Sequence, residues 1–179
     1  QIDKRMREVE IRQAMEQAPE NVTFAGFVDR ETLREAYCGA DVFAFMSHEE
    51  TEGIVVLEAL ACGIPTVVRD IPVYNGWLRE GQNVYKASGT DEFQQKAEGL
   101  LTGTLPDLTA AGRRVAEERS LSVMGERLRE VYRLNSGRLR QGYDMILVAR
   151  GRTLTASWKE LNDTFLRLCR KLELLEDRS

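Results

Sequence analysis

Asp41-Val42-Phe43-Ala44-Phe45, the polar loop Ser47 to Glu52, the run Gly53-Ile54-Val55-Val56-Leu57-Glu58-Ala59-Leu60-Ala61-Cys62-Gly63 and then Pro65-Thr66-Val67-Val68 decide how this chain folds. The first piece is short, aromatic and apolar, as a buried strand is. The run from Gly53 reads as a helix that stops at Gly63, where glycine accepts the left-handed cap and Pro65 forbids continuation. Pro65 to Val68 returns to strand. Short strands alternating with helices argue for a parallel, doubly wound sheet.

Working outward, residues 2–17 read as a charged amphipathic helix, and Asn21 to Phe27 as a short strand running into a loop at Gly26. Asp29 is placed to cap a helix with Leu33, Ala36 and Tyr37 on one face. Downstream, a short helix is expected around Trp77-Leu78-Arg79, a short strand at Val84-Tyr85-Lys86, and a helix from Asp91 through Leu101. Thr102 to Asp107 is a turn-rich break before helices over 108–119 and 122–135. The end of the chain has a different texture. Asn135 to Gly142 is a basic loop and Tyr143 to Ala149 a strand. Ser157-Trp158-Lys159-Glu160 is a capping box. It opens a helix whose Trp158, Leu161, Phe165, Leu168, Leu172 and Leu175 form one stripe. That stripe is assigned to the core, with a partner-binding surface as the alternative.

At 179 residues the chain can bury a core of its own. No apolar run approaches the ~20 residues of a membrane span, and the start, Gln1-Ile2-Asp3-Lys4-Arg5, has no apolar stretch of a signal peptide behind it. A start without Met, directly in a charged helical pattern, leads to the expectation of further chain before residue 1. Cys38, Cys62 and Cys169 are odd in number and far apart, which fits free thiols in a reducing cytosol better than disulfides or zinc. With His48 as the only histidine, no metal site is expected. The net charge of −4 is split: residues 1–126 sum to −9 and residues 127–179 to +5, a sign change that can mark two segments with different partners.

Glu50 and Glu58 stand eight positions apart on either side of Gly53. The first amides of a helix lack internal partners and favour an anion, and Gly53 would let a diphosphate approach the backbone. Glu58 could accept two hydrogen bonds from a vicinal diol such as a ribose, and Glu50 could meet hydroxyls of a transferred sugar. The alternative is a solvated acidic helix start, since Glu49, Glu50 and Glu52 suit the helix dipole by themselves. Glu58 weighs against it, because a charge inside an apolar run is costly when unpaired.

The series Val22-Thr23-Phe24-Ala25-Gly26-Phe27-Val28, Ala36-Tyr37, Ala40-Asp41-Val42, Ser47, and Glu50 to Glu58 followed by Ala59, Ala61, Gly63, Pro65 and Val67 resembles the C-terminal, donor-binding domain of a GT-B retaining glycosyltransferase. Arg69-Asp70-Ile71-Pro72-Val73-Tyr74 and Asn83 to Ala87 make it similar to bacterial diacylglycerol glucosyltransferases. The resemblance implies metal-independent hexosyl transfer from a nucleotide sugar, UDP-glucose first among donors, to a lipid acceptor. The UDP-sugar is a substrate and no cofactor is implied. It gives Glu50 the contact to the donor sugar as catalytic residue. It gives the donor ribose to Glu58, phosphate or sugar to the backbone near Thr51, Gly53 and Ile54, and the base to the loop at Gly26 and Phe27. It also implies a cytoplasmic parent enzyme, peripheral at the inner face of the membrane. Met46 replaces the proline usual before the motif serine. The cationic strands that neutralise the diphosphate, and the acceptor domain, would precede residue 1. The chain alone is therefore expected not to transfer sugar.

Arg129-Glu130-Val131-Tyr132-Arg133-Leu134-Asn135, then Arg138, Arg140, Gly142-Tyr143-Asp144 and Ala149-Arg150, resemble the C-terminal half of the bacterial ribonuclease P protein subunit. That resemblance implies binding of structured RNA through Arg129, Arg133, Arg138, Arg140 and Arg150. The family's basic signature falls on Leu121-Ser122-Val123 and Gly125-Glu126, where no basic residue stands, and a solvated basic face remains the alternative. The expected architecture is α/β: a truncated Rossmann-like doubly wound parallel sheet over residues 1–126, with a helix-strand-helix appendage over 127–179. The function expected first is that of a glycosyltransferase donor-domain fragment. The alternatives are an RNA-binding ribonuclease P component and a non-catalytic chimera.

Overall fold

The computed structural model describes residues 4–148, 153 and 156–176. The chain divides into two compact units, Gln1–Ala36 and Tyr37–Ser179. In the first, helix α1 spans Lys4–Glu16, and helix α2 spans Arg30–Gly39, its last turn entering the second unit. Asp29 caps α2 as the sequence suggests, its Oδ1 accepting from the Thr32 amide at 2.8 Å. Asn21–Phe27, in contrast, forms no strand. Without a neighbouring strand to take its amides and carbonyls, a β-prone stretch has no ladder to join.

The second unit is built on three parallel strands, β1 (Phe43–Phe45), β2 (Thr66–Arg69) and β3 (Tyr85–Ala87), in that spatial order. Phe43 pairs with Thr66 and Val67 with Tyr85. Helix α3 (Ile54–Cys62) connects β1 to β2. Gly63 ends it in the left-handed conformation at φ 74°, its amide reaching back to the Ala59 and Leu60 carbonyls. The β2–β3 connection holds a 3-10 turn at Pro72–Tyr74, and the residues around Trp77 form turns where a short helix is expected. Helices α4 (Thr90–Leu101) and α5 (Thr109–Glu118) follow.

Alternation along β2 shows that both sheet faces are covered. Val67 and Val68 are each fully buried. Val67 joins Tyr85 and Ala87 against Phe93, Ala97 and Leu100 of α4. Val68 joins Val56 and Leu60 of α3, Val115 of α5, and Tyr74, Trp77 and Leu78. Successive side chains of a strand point to opposite faces, so a strand with no polar residue in its middle needs helices on both sides. The carboxyl end of β3 is pinned by charge: Lys96 pairs with Glu80 at 2.8 Å and Glu92 at 2.7 Å and also donates to the Lys86 carbonyl, and Lys86 pairs with Asp70 at 3.0 Å.

The C-terminal part has its own apolar cluster. Helix α6 (Leu121–Asn135) and helix α7 (Trp158–Lys171) pack through Met124, Val131, Leu161, Phe165 and Cys169, with Leu139 between them. The capping box at Ser157 forms in full. The expected strand at Tyr143–Ala149 does not form: residues 143–148 pair with nothing as a strand, and Ala149 lies outside the described residues. Among the described residues here, Leu139 bridges with Leu175. The α7 stripe is only half core. Leu161 and Phe165 are buried, whereas Trp158, Leu168 and Leu172 are exposed and line a groove of about 750 Å³ with Leu128 and Met145, Trp158 excepted.

Candidate functional site

The parallel sheet places the loop Met46–Gly53 at its carboxyl edge, the side on which open α/β sheets bind ligands. Glu50, Thr51, Gly53 and Ile54 sit on this loop and the first turn of α3, and Glu58 follows inside the helix. One loop-helix element therefore carries five of the seven residues expected at the site. Gly26 and Phe27 belong to the first unit, where the Phe27 side chain is fully exposed. Beside Glu50 lies a broad cleft of about 620 Å³ lined by His48, Glu49, Glu50, Thr51, Ile71, Pro72 and Val73.

Gly53 adopts φ 69°, and its missing side chain also serves packing. A Cβ there would lie 2.9 Å from Cζ2 of Trp77 and 3.1 Å from Cε1 of Tyr74, so the glycine lets two aromatic rings close against the helix start. Those rings meet edge to face with centroids 5.6 Å apart. The Trp77 indole N–H donates to the Val73 carbonyl at 2.8 Å, and Asn83 donates to the Trp77 carbonyl at 3.0 Å. The Arg119 guanidinium lies 5.2 Å over the Trp77 ring, near enough for a cation–π attraction. Burial lowers the Arg119 pKa from the ordinary arginine value.

The loop amides turn inward onto the motif's own carboxylate. Thr51 donates its amide to Glu50 Oε1 at 2.7 Å and Glu52 donates its amide at 3.2 Å. Burial works against the Glu50 charge, but the amides of Glu52, Thr51 and Gly53 outweigh it and hold its pKa below the usual glutamate value. Tyr74 is wholly buried beneath this group. Burial, and after it the Glu50 charge, push the Tyr74 phenol up to about 12.

Glu58 is half-buried on α3 and forms no ion pair among the described residues. Its neighbour is Tyr37, from the end of α2. Burial first, then the Glu58 charge and a hydrogen bond with Glu58, raise the Tyr37 pKa above the ordinary tyrosine value. Tyr37, Tyr74, Trp77 and Arg119 are absent from the residues expected at the site. Tyr37 carries a signal in its motif position. Tyr74 also stands in a quoted motif, whereas Trp77 and Arg119 depend on long-range placement that spacing does not encode.

Among the basic residues, Arg129, Arg133, Arg138 and Arg140 are exposed, and Arg150 lies outside the described residues. Arg133 forms a two-point pair with Glu130, with Nε–Oε2 and Nη2–Oε1 both 2.7 Å. Arg138 donates to Asn135 Oδ1 at 3.4 Å.

Residues 4–115 match the family of glycosyl transferases group 1. The chain belongs to that family. It is 39% identical over 122 residues to a processive diacylglycerol alpha-glucosyltransferase of Acholeplasma laidlawii, a match covering 68% of this chain and 37% of that protein. It is 37% identical over 81 residues to an alpha-galactosylglucosyldiacylglycerol synthase of Streptococcus pneumoniae, covering 45% of this chain and 21% of that one. The chain thus spans about a third or less of the length of these relatives. Residues 125–173 match the Ribonuclease P family. Over 48 residues the chain is 46% identical to a ribonuclease P protein component of Alkaliphilus oremlandii, 27% of this chain and 42% of that protein. A match to group 1 glycosyl transferases and a match to ribonuclease P therefore follow one another along a single chain. No helix of the described residues is long and apolar enough to cross a membrane.

Proposed function

We propose that residues 1–126 are the donor side of a retaining glucosyltransferase that takes UDP-glucose and, in a complete enzyme, passes glucose to a membrane lipid at the cytoplasmic face. Glu58 would hold the ribose, Glu50 the donor sugar, and the backbone at Thr51, Gly53 and Ile54 the phosphate or sugar oxygens. Gly26 and Phe27 would lie toward the base. The observation that carries this reading is Glu58: a half-buried carboxylate in an otherwise apolar helix, facing a tyrosine and, among the described residues, paired with no cation. A carboxylate accepts more than the one hydrogen bond Tyr37 gives it, which leaves capacity for the vicinal hydroxyls of a ribose. Calorimetric titration with UDP-glucose tests it. The wild-type chain should bind saturably, and Glu58→Ala should weaken binding by about tenfold or more, the loss of one charge-assisted contact. Equal binding by both would refute the role of Glu58. The chain by itself should give no glucosyl transfer.

A second reading concerns residues 127–179, favoured by the ribonuclease P match and the +5 charge of that segment. Arg129, Arg133, Arg138, Arg140 and Arg150 would bind phosphates of structured RNA. Binding should fall steeply with salt and vanish when the five arginines are replaced by alanine. Should neither ligand bind a cooperatively melting chain, a non-catalytic chimera is left.

A further inference from the structure

The loop amides just before α3 already hold an oxyanion, and it is the chain's own. Glu50 Oε1 takes the Thr51 and Glu52 amides at 2.7 and 3.2 Å, with the Gly53 amide also turned to it. A second, independent feature lies beneath. Tyr74 is fully buried, and its hydroxyl has no hydrogen-bond partner among the described residues. Chains seldom leave such a group unpaired, and phenylalanine would fill the same space without the unmet donor. The Tyr74 ring closes against Gly53, with Cε1, next to the hydroxyl-bearing carbon, 3.1 Å from where a Cβ would stand, and the Glu50 charge acts on its hydroxyl, so the unmet donor lies close to the loop whose amides hold Glu50. Trp77, fixed through its indole N–H to the Val73 carbonyl, keeps that ring in place.

We propose that the Thr51, Glu52 and Gly53 amides and the Tyr74 hydroxyl form one oxyanion site, that Glu50 is its removable internal occupant, and that a phosphate oxygen of the bound ligand displaces Glu50 and takes up the Tyr74 donor. No covalent bond changes. One oxyanion replaces another, and the freed Glu50 turns outward to the cleft lined by His48, Ile71 and Pro72, where the sugar of a donor would stand. Tyr74 thereby becomes a ligand-contacting residue, and Glu50 has two positions, one for the empty site and one for the filled site. The inference rests on the donor reading for the identity of the ligand, but not for the exchange itself.

The test is a titration of the full chain with inorganic phosphate, followed through the amide resonances of Thr51, Glu52 and Gly53. Glu50→Ala removes the occupant and should tighten phosphate binding about tenfold, the value of the charge-assisted bonds it gives up. Glu50→Gln, which keeps the shape and loses the charge, should give a smaller gain. Adding Tyr74→Phe to Glu50→Ala should cancel much of that gain, whereas Tyr74→Phe alone should leave the melting temperature unchanged or raise it. Equal phosphate affinity in wild type and Glu50→Ala overturns the proposal, as does an absence of phosphate binding in Glu50→Ala with its amide spectrum intact. So does indifference of the double variant to the lost hydroxyl. A parallel UDP-glucose titration separates the two readings. Donor binding with no phosphate response sinks the exchange alone, and a phosphate response with no donor binding sinks the donor reading alone.

Discussion

The sheet region and the C-terminal helix pair bury their apolar residues in different ways. Around β2 every side is closed: Val67 faces α4, Val68 faces α3 and α5, and Tyr74 and Trp77 seal the end beside Gly53. Between α6 and α7 only one side is closed. Val131, Leu161 and Phe165 are buried, yet Leu168 and Leu172 stand open on a groove of about 750 Å³, and Ile146 is 89% exposed. The first arrangement fixes a carboxylate-bearing loop to within one set of hydrogen bonds. The second holds two helices together and positions little else. A cluster packed on both faces has no room to relax when a side chain is cut back, whereas one bordering a groove can collapse into it.

Four substitutions probe the difference between the two regions. Trp77→Ala should be the most damaging. It removes the ring against Gly53, a buried hydrogen bond and the Arg119 contact, and denaturant unfolding should show a loss of about 3–5 kcal/mol. Phe165→Ala in α7 is the matched cut on the other side. Because the site opens on a groove, its loss should fall at the low end, about 3 kcal/mol or less. A larger loss for Phe165→Ala than for Trp77→Ala would contradict the contrast. Ser157→Ala breaks the capping box whose side chain accepts the Glu160 amide, and should cost about 1 kcal/mol. Leu172→Ser, at an exposed groove position, should stay within about 0.5 kcal/mol of wild type.

Acid titration distinguishes the regions in another way. The folded pKa of Glu50 lies below its ordinary value, so its contribution to stability is full above the unfolded pKa of about 4.3 and is lost as pH falls through the lower folded value. Loosening of the Thr51–Gly53 amides should follow that loss, visible by amide exchange. In the helix pair the carboxylate with a lowered pKa beside the cluster is Glu160, which accepts from Ser157 at the start of α7, so the Leu161 amide should loosen with that cap while the Phe165 and Cys169 amides, further along the helix, should respond less.

The βαβ core was legible because each local signal agreed with the global fold. Phe43–Phe45, the apolar run stopped by Gly63 and Pro65, and Thr66–Arg69 formed where spacing placed them. Glu58 stood out for the opposite reason, as the one charge in an apolar run. The misreadings have a common cause. Asn21–Phe27 and Tyr143–Val148 have strand composition, but a strand exists only when another strand receives its hydrogen bonds, and neither stretch has one. The α7 stripe predicted burial from periodicity, and periodicity gives a face but not the partner that covers it. Tyr74 stands in a quoted motif, but its packing with Trp77 against Gly53, more than twenty residues earlier, is a long-range contact that spacing does not encode.

Calorimetry of UDP-glucose with wild type and Glu58→Ala decides whether Glu58 belongs to a nucleotide-sugar site held in the closed region. Saturable binding to wild type that weakens about tenfold or more in the variant, with unchanged melting, is the predicted result. Binding that is equal in the two proteins, or absent from a folded wild type, would contradict it.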